Sequence, residues 1–168
     1  DTQDAEFLDV IAAGNRGAGF LVWEWVDASA DLSFERCTFE GNGWDGMGFV
    51  TQSGKSIDDV SIERCVIANN AANGVEFWRY DGGTISNAAI HLSSITGNAG
   101  QGVAVVNPDG TFNVDATVNW WGDADGPSGE GTGAGDSVSP NVIFSPWLGI
   151  DPDGDPTTVG VQLISPML

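Results

Sequence analysis

Residues recur along this chain at an interval of 28, and that interval leaves very few folds open. Cys37 and Cys65 are 28 apart, and Phe39, Ile67 and Ile95 keep the same step. So do Asn42, Asn70 and Asn98, as well as Gly46, Gly74 and Gly102. Phe49, Phe77 and Val105 continue the pattern. A further column reads Phe34, Ile62, Ile90 and Val118, beside Leu32, Val60, Ala88 and Ala116. Upstream, Gly17 and Phe20 align with Gly46 and Phe49 at a step of 29, which predicts one inserted residue in that turn. Within each repeat apolar residues alternate over short runs, as in Leu32-Ser33-Phe34, and the runs are separated by Gly, Asn and Asp. Period two with such punctuation signals strands and turns. One repeat buries little on its own. Stacking repeats ~4.8 Å apart turns equivalent side chains into a continuous core, so a parallel β-solenoid is expected. The asparagine column then passes amide hydrogen bonds from coil to coil. The glycine column is expected to mark a turn with positive φ.

Composition says what the surface meets. Among 168 residues, 41% are hydrophobic, enough for one domain with a real core. Asp and Glu number 24 against 5 Lys and Arg, a formal net charge of -19, with Lys55 the only lysine. Nucleic acid is excluded as a partner because phosphate binding needs a basic footprint. No apolar stretch approaches the ~18 residues that cross a bilayer. The acids are spread from Asp1 to Asp155. Dispersed carboxylates with almost no lysine suit a high-salt environment, where at about 1 M the Debye length falls to ~3 Å and like charges cease to repel. An acidic extracellular protein that holds calcium is the alternative. The chain opens at Asp1 with no basic segment before an apolar run, so either a leader has been removed or the chain is part of something longer.

The coil pattern V/L-x-F/I-x-x-C-x-F/I-x-x-N, at 32–42 and 60–70, resembles the repeats of right-handed parallel β-helix proteins of pectate-lyase-like and NosD type. Asn119-Trp120-Trp121-Gly122, then Gly126-Pro127, Gly135-Asp136-Ser137-Val138 and Phe144-Ser145-Pro146-Trp147-Leu148, are similar to the segment that closes such helices in secreted haloarchaeal and methanogen proteins. The expected fold is thus an all-β, single-stranded right-handed β-helix of four to five coils. Residues 5–122 form the coils, 123–150 a capping loop and return strand over 142–147, and 151–168 an acidic linker with a terminal strand. Trp120, Trp121 and Trp147 are expected to lid the last coil, since an open solenoid end exposes core and strand edges. The first coil, starting at Phe7 or Leu8, has no evident cap and is continued by upstream chain or covered by a partner. The terminal strand lies along its own helix or adds to a neighbouring molecule through 157–168, which would make a filament.

The resemblance implies carbohydrate chemistry, which outward side chains would have to supply. If Phe49, Phe77 and Val105 point inward, Glu76, Trp78 and Tyr80 point outward. Trp23, Trp25, Trp78 and Tyr80 are the candidate glycan platforms, and Glu76 and Asp81 the weak catalytic candidates. No site assembles: Gly48 and Ala104 hold the positions equivalent to Glu76, so no acid stacks on it. Asp58-Asp59 reads as a solvated pair in a turn. His91 falls in an outward column with Glu35, Glu63 and Asn119 and is expected to pair with Glu63. Asp123 and Asp125, and Asp151, Asp153 and Asp155, form short D-x-D-G loops that could converge carboxylates on calcium, the one cofactor the sequence suggests. Cys37 and Cys65 are read as buried thiols in a ladder, because parallel Cβ vectors disfavour a bridge. With one His and two Met, copper has no ligand set. The functional expectation is an extracellular structural or adhesive rod of a halophilic archaeon, in a surface layer or filament, whose partners are cell-surface glycans or further copies. The alternative is a carbohydrate-active or glycan-binding domain related to polysaccharide lyases.

Overall fold

A computed structural model describes residues 2–24, 29–106, 110–151 and 163–164. Each turn contributes one strand to each of three parallel sheets. The first turn holds β1 (Thr2–Leu8), β2 (Ile11–Ala13) and β3 (Phe20–Glu24). The second holds β4 (Ser29–Glu35), β5 (Thr38–Glu40) and β6 (Met47–Thr51). The third holds β7 (Ser56–Glu63), β8 (Val66–Ala68) and β9 (Val75–Arg79). The fourth holds β10 (Thr84–His91), β11 (Ser94–Thr96) and β12 (Val103–Val106). After it come β13 (Val114–Asp115), β14 (Pro127–Gly129), β15 (Gly135–Val138), β16 (Val142–Ile143) and β17 (Trp147–Leu148), and finally β18 (Leu163–Ile164). The sheet orders are β1-β4-β7-β10-β13-β16, β2-β5-β8-β11 and β3-β6-β9-β12-β15-β14. Strands of one sheet are thus successive turns of one right-handed β-helix, about five turns long, and no described residue is helical.

The periodic residues fill the interior as stacked columns. Phe7 lies on Phe34 with ring centroids 4.7 Å apart, and Phe49 on Phe77 at 5.1 Å. Phe34, Ile62, Ile90, Phe39, Ile67 and Ile95 are all buried. Two polar ladders run beside them. Asn15, Asn42 and Asn70 each donate side-chain and backbone N–H groups to the Oδ1 of the asparagine one turn on, Asn98 being the last acceptor. Asp136 ends the series, taking Asn98 N–H and Nδ2 on one oxygen and Gly97 N–H on the other. The second ladder runs from Cys37 N–H to Cys65 Sγ, from Cys65 N–H to Ser93 Oγ, and from Ser93 N–H to Asn119 Oδ1. Both cysteines are free and buried. Contact with Cys37 and burial both push the Cys65 thiol up, since each penalises a thiolate.

The step departs from 28 at both ends. In the first turn Phe20 pairs with Met47 and Val22 with Phe49, so Gly19, not Gly17, is the counterpart of Gly46, and a residue is missing rather than inserted. In the last, Ala88 pairs with Val114 and Ala89 with Asp115, two residues short of the regular step. An even slip keeps the inward face inward. It nevertheless makes Ala116 the counterpart of Ile90 and moves Val118 to the corner, where it takes φ 61. Asn119 consequently leaves the outward column of His91 and becomes the buried end of the cysteine ladder.

The glycine column does not have positive φ; left-handed backbone falls instead at Gly14, Gly41, Asn69 and Gly97, just before the asparagines. Gly46, Gly74 and Gly102 are required because neighbouring coils touch there: a Cβ on Gly74 would lie 2.5 Å from the Gly102 carbonyl oxygen. Asp59 lies within β7, not in a turn, and bends it with φ 54, as Asp4, Asp31 and Asn87 bend their strands.

Trp121 alone of the cap tryptophans is fully buried, lying against the position of Gly102 at the end of the Phe39, Ile67, Ile95 column. Trp120 bridges Ser94, and Trp147 is half-buried beside Gly126 with its indole N–H on the Ala124 carbonyl. The expected return strand over 142–147 divides in two: β16 joins the first sheet and β17 pairs antiparallel with β18. The described part of the tail therefore lies along its own chain.

Candidate functional site

The outer face of the third sheet gathers most of the chemistry. Val75, Phe77 and their counterparts in the second and fourth turns point inward and are buried, which by alternation turns Glu76 and Trp78 out. The register makes two outward rows, Leu21-Gly48-Glu76-Ala104 and Trp23-Val50-Trp78-Val106. A side chain on Gly48 would strike Leu21, so the leucine reclines over that gap. Trp23 is 47% exposed and Tyr80 52%. Trp78 is half-buried, edge-on to Tyr80 at 5.9 Å, and its indole N–H finds no acceptor. Trp25 lies outside the described residues.

Glu76 has a carboxylate neighbour after all. Asp45, in the turn before β6, accepts the N–H of Asn73 on Oδ1, and the Asn73 amide donates to Glu76 at 3.0 Å. Asn73 therefore clamps two half-buried carboxylates from adjacent coils. Burial pushes Asp45 up against the bonds that Asn73 donates, and burial together with the Asp45 charge pushes Glu76 up. Trp44, next to Asp45, is 61% exposed. Sequence reasoning missed Trp44, although a signal existed: its counterparts are Gly17, Ala72 and Gly100, a column of small residues that one indole interrupts. Asp81 does not join the pair. It sits in the turn beyond Tyr80 at the far end of β9, with φ 46. At strand rise the three residues from Glu76 to the end of β9 alone span ~10 Å, and the turn lies beyond it, whereas two-carboxylate hydrolysis uses ~5–9.5 Å. Arg79 is engaged with the Gly83 carbonyl and the Thr111 hydroxyl.

A second polar row crosses the outside of the first sheet. Asp4, Asp31, Asp59, Asn87, Asn113 and Asn141 occupy one column, of which Asp4, Asp31, Asp59 and Asn87 line a shallow groove with Glu6, Ser33 and Ser61. Asn87 donates to Asp59, Asn141 to Asn113, and the Ser86 hydroxyl to Asp58. Loss of hydration, then Asp4 and Asp59 on either side, push the Asp31 carboxyl up. His91 faces Glu63 in register, but its Nε2 lies 3.2 Å from Asp115 instead. That carboxyl is held down by the hydroxyl and N–H of Thr117, then by His91, against the effect of its own partial burial.

The Asp123 and Asp125 loop closes on itself, Asp125 N–H bonding Asp123 Oδ1. No cluster of three or more metal-ligating side chains occurs among the described residues. Asp151 is described and exposed, whereas Asp153 and Asp155 lie outside the described residues. No described helix is long and apolar enough to cross a membrane.

Comparison with known proteins gives one match. The sequence model of a family described as the right handed beta helix region covers residues 20–118. No curated protein and no solved structure matches the chain.

Proposed function

The chain belongs to the right-handed β-helix family, and from that premise we propose that it is a stiff, adhesive scaffold domain of an exported cell-surface protein that binds glycans through the outer face of its third sheet. The pectate-lyase-like and NosD-type coil pattern supports this line of descent. The charge of -19 supports a high-salt, archaeal setting. Two ladders and continuous core columns along the axis support a rod, because each turn is locked to the next at several points. The single observation that carries the adhesive part is the placement of Trp23, Trp78 and Tyr80 on one outward face of a sheet whose inward rows pack on the core. Large aromatics set on a rigid sheet offer pre-arranged platforms for the apolar faces of sugar rings at little ordering cost.

Calorimetric titration of soluble polysaccharides in molar NaCl tests this. Binding that is lost in Trp78→Ala and weakened in Tyr80→Ala, with unchanged melting of the Tyr80 variant, is expected; binding that survives both variants sinks the reading. The paired carboxylates Asp45 and Glu76 favour a second reading, a carbohydrate-cleaving domain. Under it, new reducing or unsaturated ends would appear when the protein is incubated with polysaccharide and would vanish in Glu76→Gln.

A further inference from the structure

The same face holds both aromatics and carboxylates, and their combination narrows the ligand. Outward residues two apart on a strand stand ~6.6 Å from each other, so Glu76 and Trp78 can address one sugar unit together. No basic side chain stands in the rows Leu21-Gly48-Glu76-Ala104 and Trp23-Val50-Trp78-Val106, while Asp45 adds a second carboxylate beside Glu76. A uronate chain would bring negative charge to this pair. A fully acetylated chain would leave it without a counter-charge. A protonated amine meets it directly, and a charge-assisted hydrogen bond is among the stronger polar contacts available.

Building on the glycan-binding reading, we propose that this face selects sugars with free amino groups, namely hexosamine oligomers, with the ammonium seated between Asp45 and Glu76 and the ring on Trp78. Partly buried carboxylates are held at a cost that a bound cation offsets. The upward push of burial on both carboxyl pKa values agrees with that cost. Asn73 fixes the two carboxylates in place before the ligand arrives, so little ordering remains for binding.

Three hexamers distinguish the outcomes when titrated calorimetrically in 1 M NaCl, about where general charge attraction is screened to ~3 Å: glucosamine, N-acetylglucosamine and galacturonate. The glucosamine hexamer is expected to bind about tenfold tighter than the acetylated one, and the uronate most weakly. In the Asp45→Asn/Glu76→Gln double variant that preference falls to near unity while acetylated binding persists. A Glu40→Gln/Glu130→Gln variant, with the same change of charge elsewhere, keeps the preference, and melting curves show that both variants are folded. Equal binding of all three hexamers, or a preference surviving in the Asp45/Glu76 variant, overturns the selectivity while the glycan-binding face stands. Absence of any binding removes both.

Discussion

Asn70 takes part in four side-chain hydrogen bonds, accepting two from Asn42 and donating to the Phe39 carbonyl and to Asn98. Its replacement by alanine strands a buried N–H and a buried carbonyl, and such groups cost about 1–3 kcal/mol each when left unpaired. Asn70→Ala should therefore lose about 2–4 kcal/mol in urea unfolding. Asn15→Ala should lose well under half of that, since the Asn15 side chain makes one bond at a partly exposed end. Equal losses would mean that the ladder is not what locks the coils. Asp136 closes the series and has a pH signature. Burial raises its carboxyl despite three donors from Gly97 and Asn98. The folded state then holds a proton that the unfolded chain has released, so this contribution to stability grows as pH falls through the raised value toward about 4 and fades as pH rises. Asp45 and Glu76 act in the same sense, and Asp115, held down, in the opposite one. Asp136→Asn should lower stability at neutral pH, because one amide nitrogen replaces an acceptor. It should also flatten the gain on mild acidification, read as urea midpoints across that range. An unchanged slope would assign the gain elsewhere.

At the scale of strands and turns, two glycines separate two kinds of constraint. Gly74 lacks positive φ but has the Gly102 carbonyl 2.5 Å from where a Cβ would sit, whereas Gly54 has φ 71 and open space. Gly54→Ala should cost about 1 kcal/mol through backbone strain alone. Gly74→Ala must push two coils apart and should cost several times more, with both read from thermal melts; similar costs would refute close approach as the reason for the column. The sequence revealed the inward rows because side-chain alternation and a constant step over the middle turns are visible in one dimension. It hid the irregular ends, since a step of 27 or 26 changes at a corner, where no apolar residue reports the slip. It also hid the left-handed positions at Arg36, Arg64, Leu92 and Val118, residue types that do not advertise such backbone. For the candidate face, alternation placed Glu76 and Trp78 outward. The clamp by Asn73 was not legible, because Asp45 lies on a turn one coil away and only stacking brings it close.

At the scale of the molecule, charge becomes a property of the stack. A net charge of -19 on 168 residues opposes compaction wherever water alone screens it. Coiling makes this local, because equivalent acids on successive turns stand ~4.8 Å apart, as Asp4, Asp31 and Asp59 do along the first sheet. That spacing lies well inside the ~10 Å Debye length of 0.1 M salt and outside the ~3 Å length at 1 M. The repulsion should therefore persist in dilute buffer and disappear at molar salt, so the melting temperature should rise with NaCl and with KCl across that range. Asp31→Asn removes the middle charge of the row. It should melt higher than the parent in dilute buffer, and the two should converge as salt is added. Addition of millimolar CaCl2 at fixed ionic strength separates screening from a specific cation. A rise produced by calcium alone would assign the acids to metal binding. A melting temperature indifferent to every salt would remove the case for a high-salt habitat, because the carboxylates would then be too well hydrated to influence the fold.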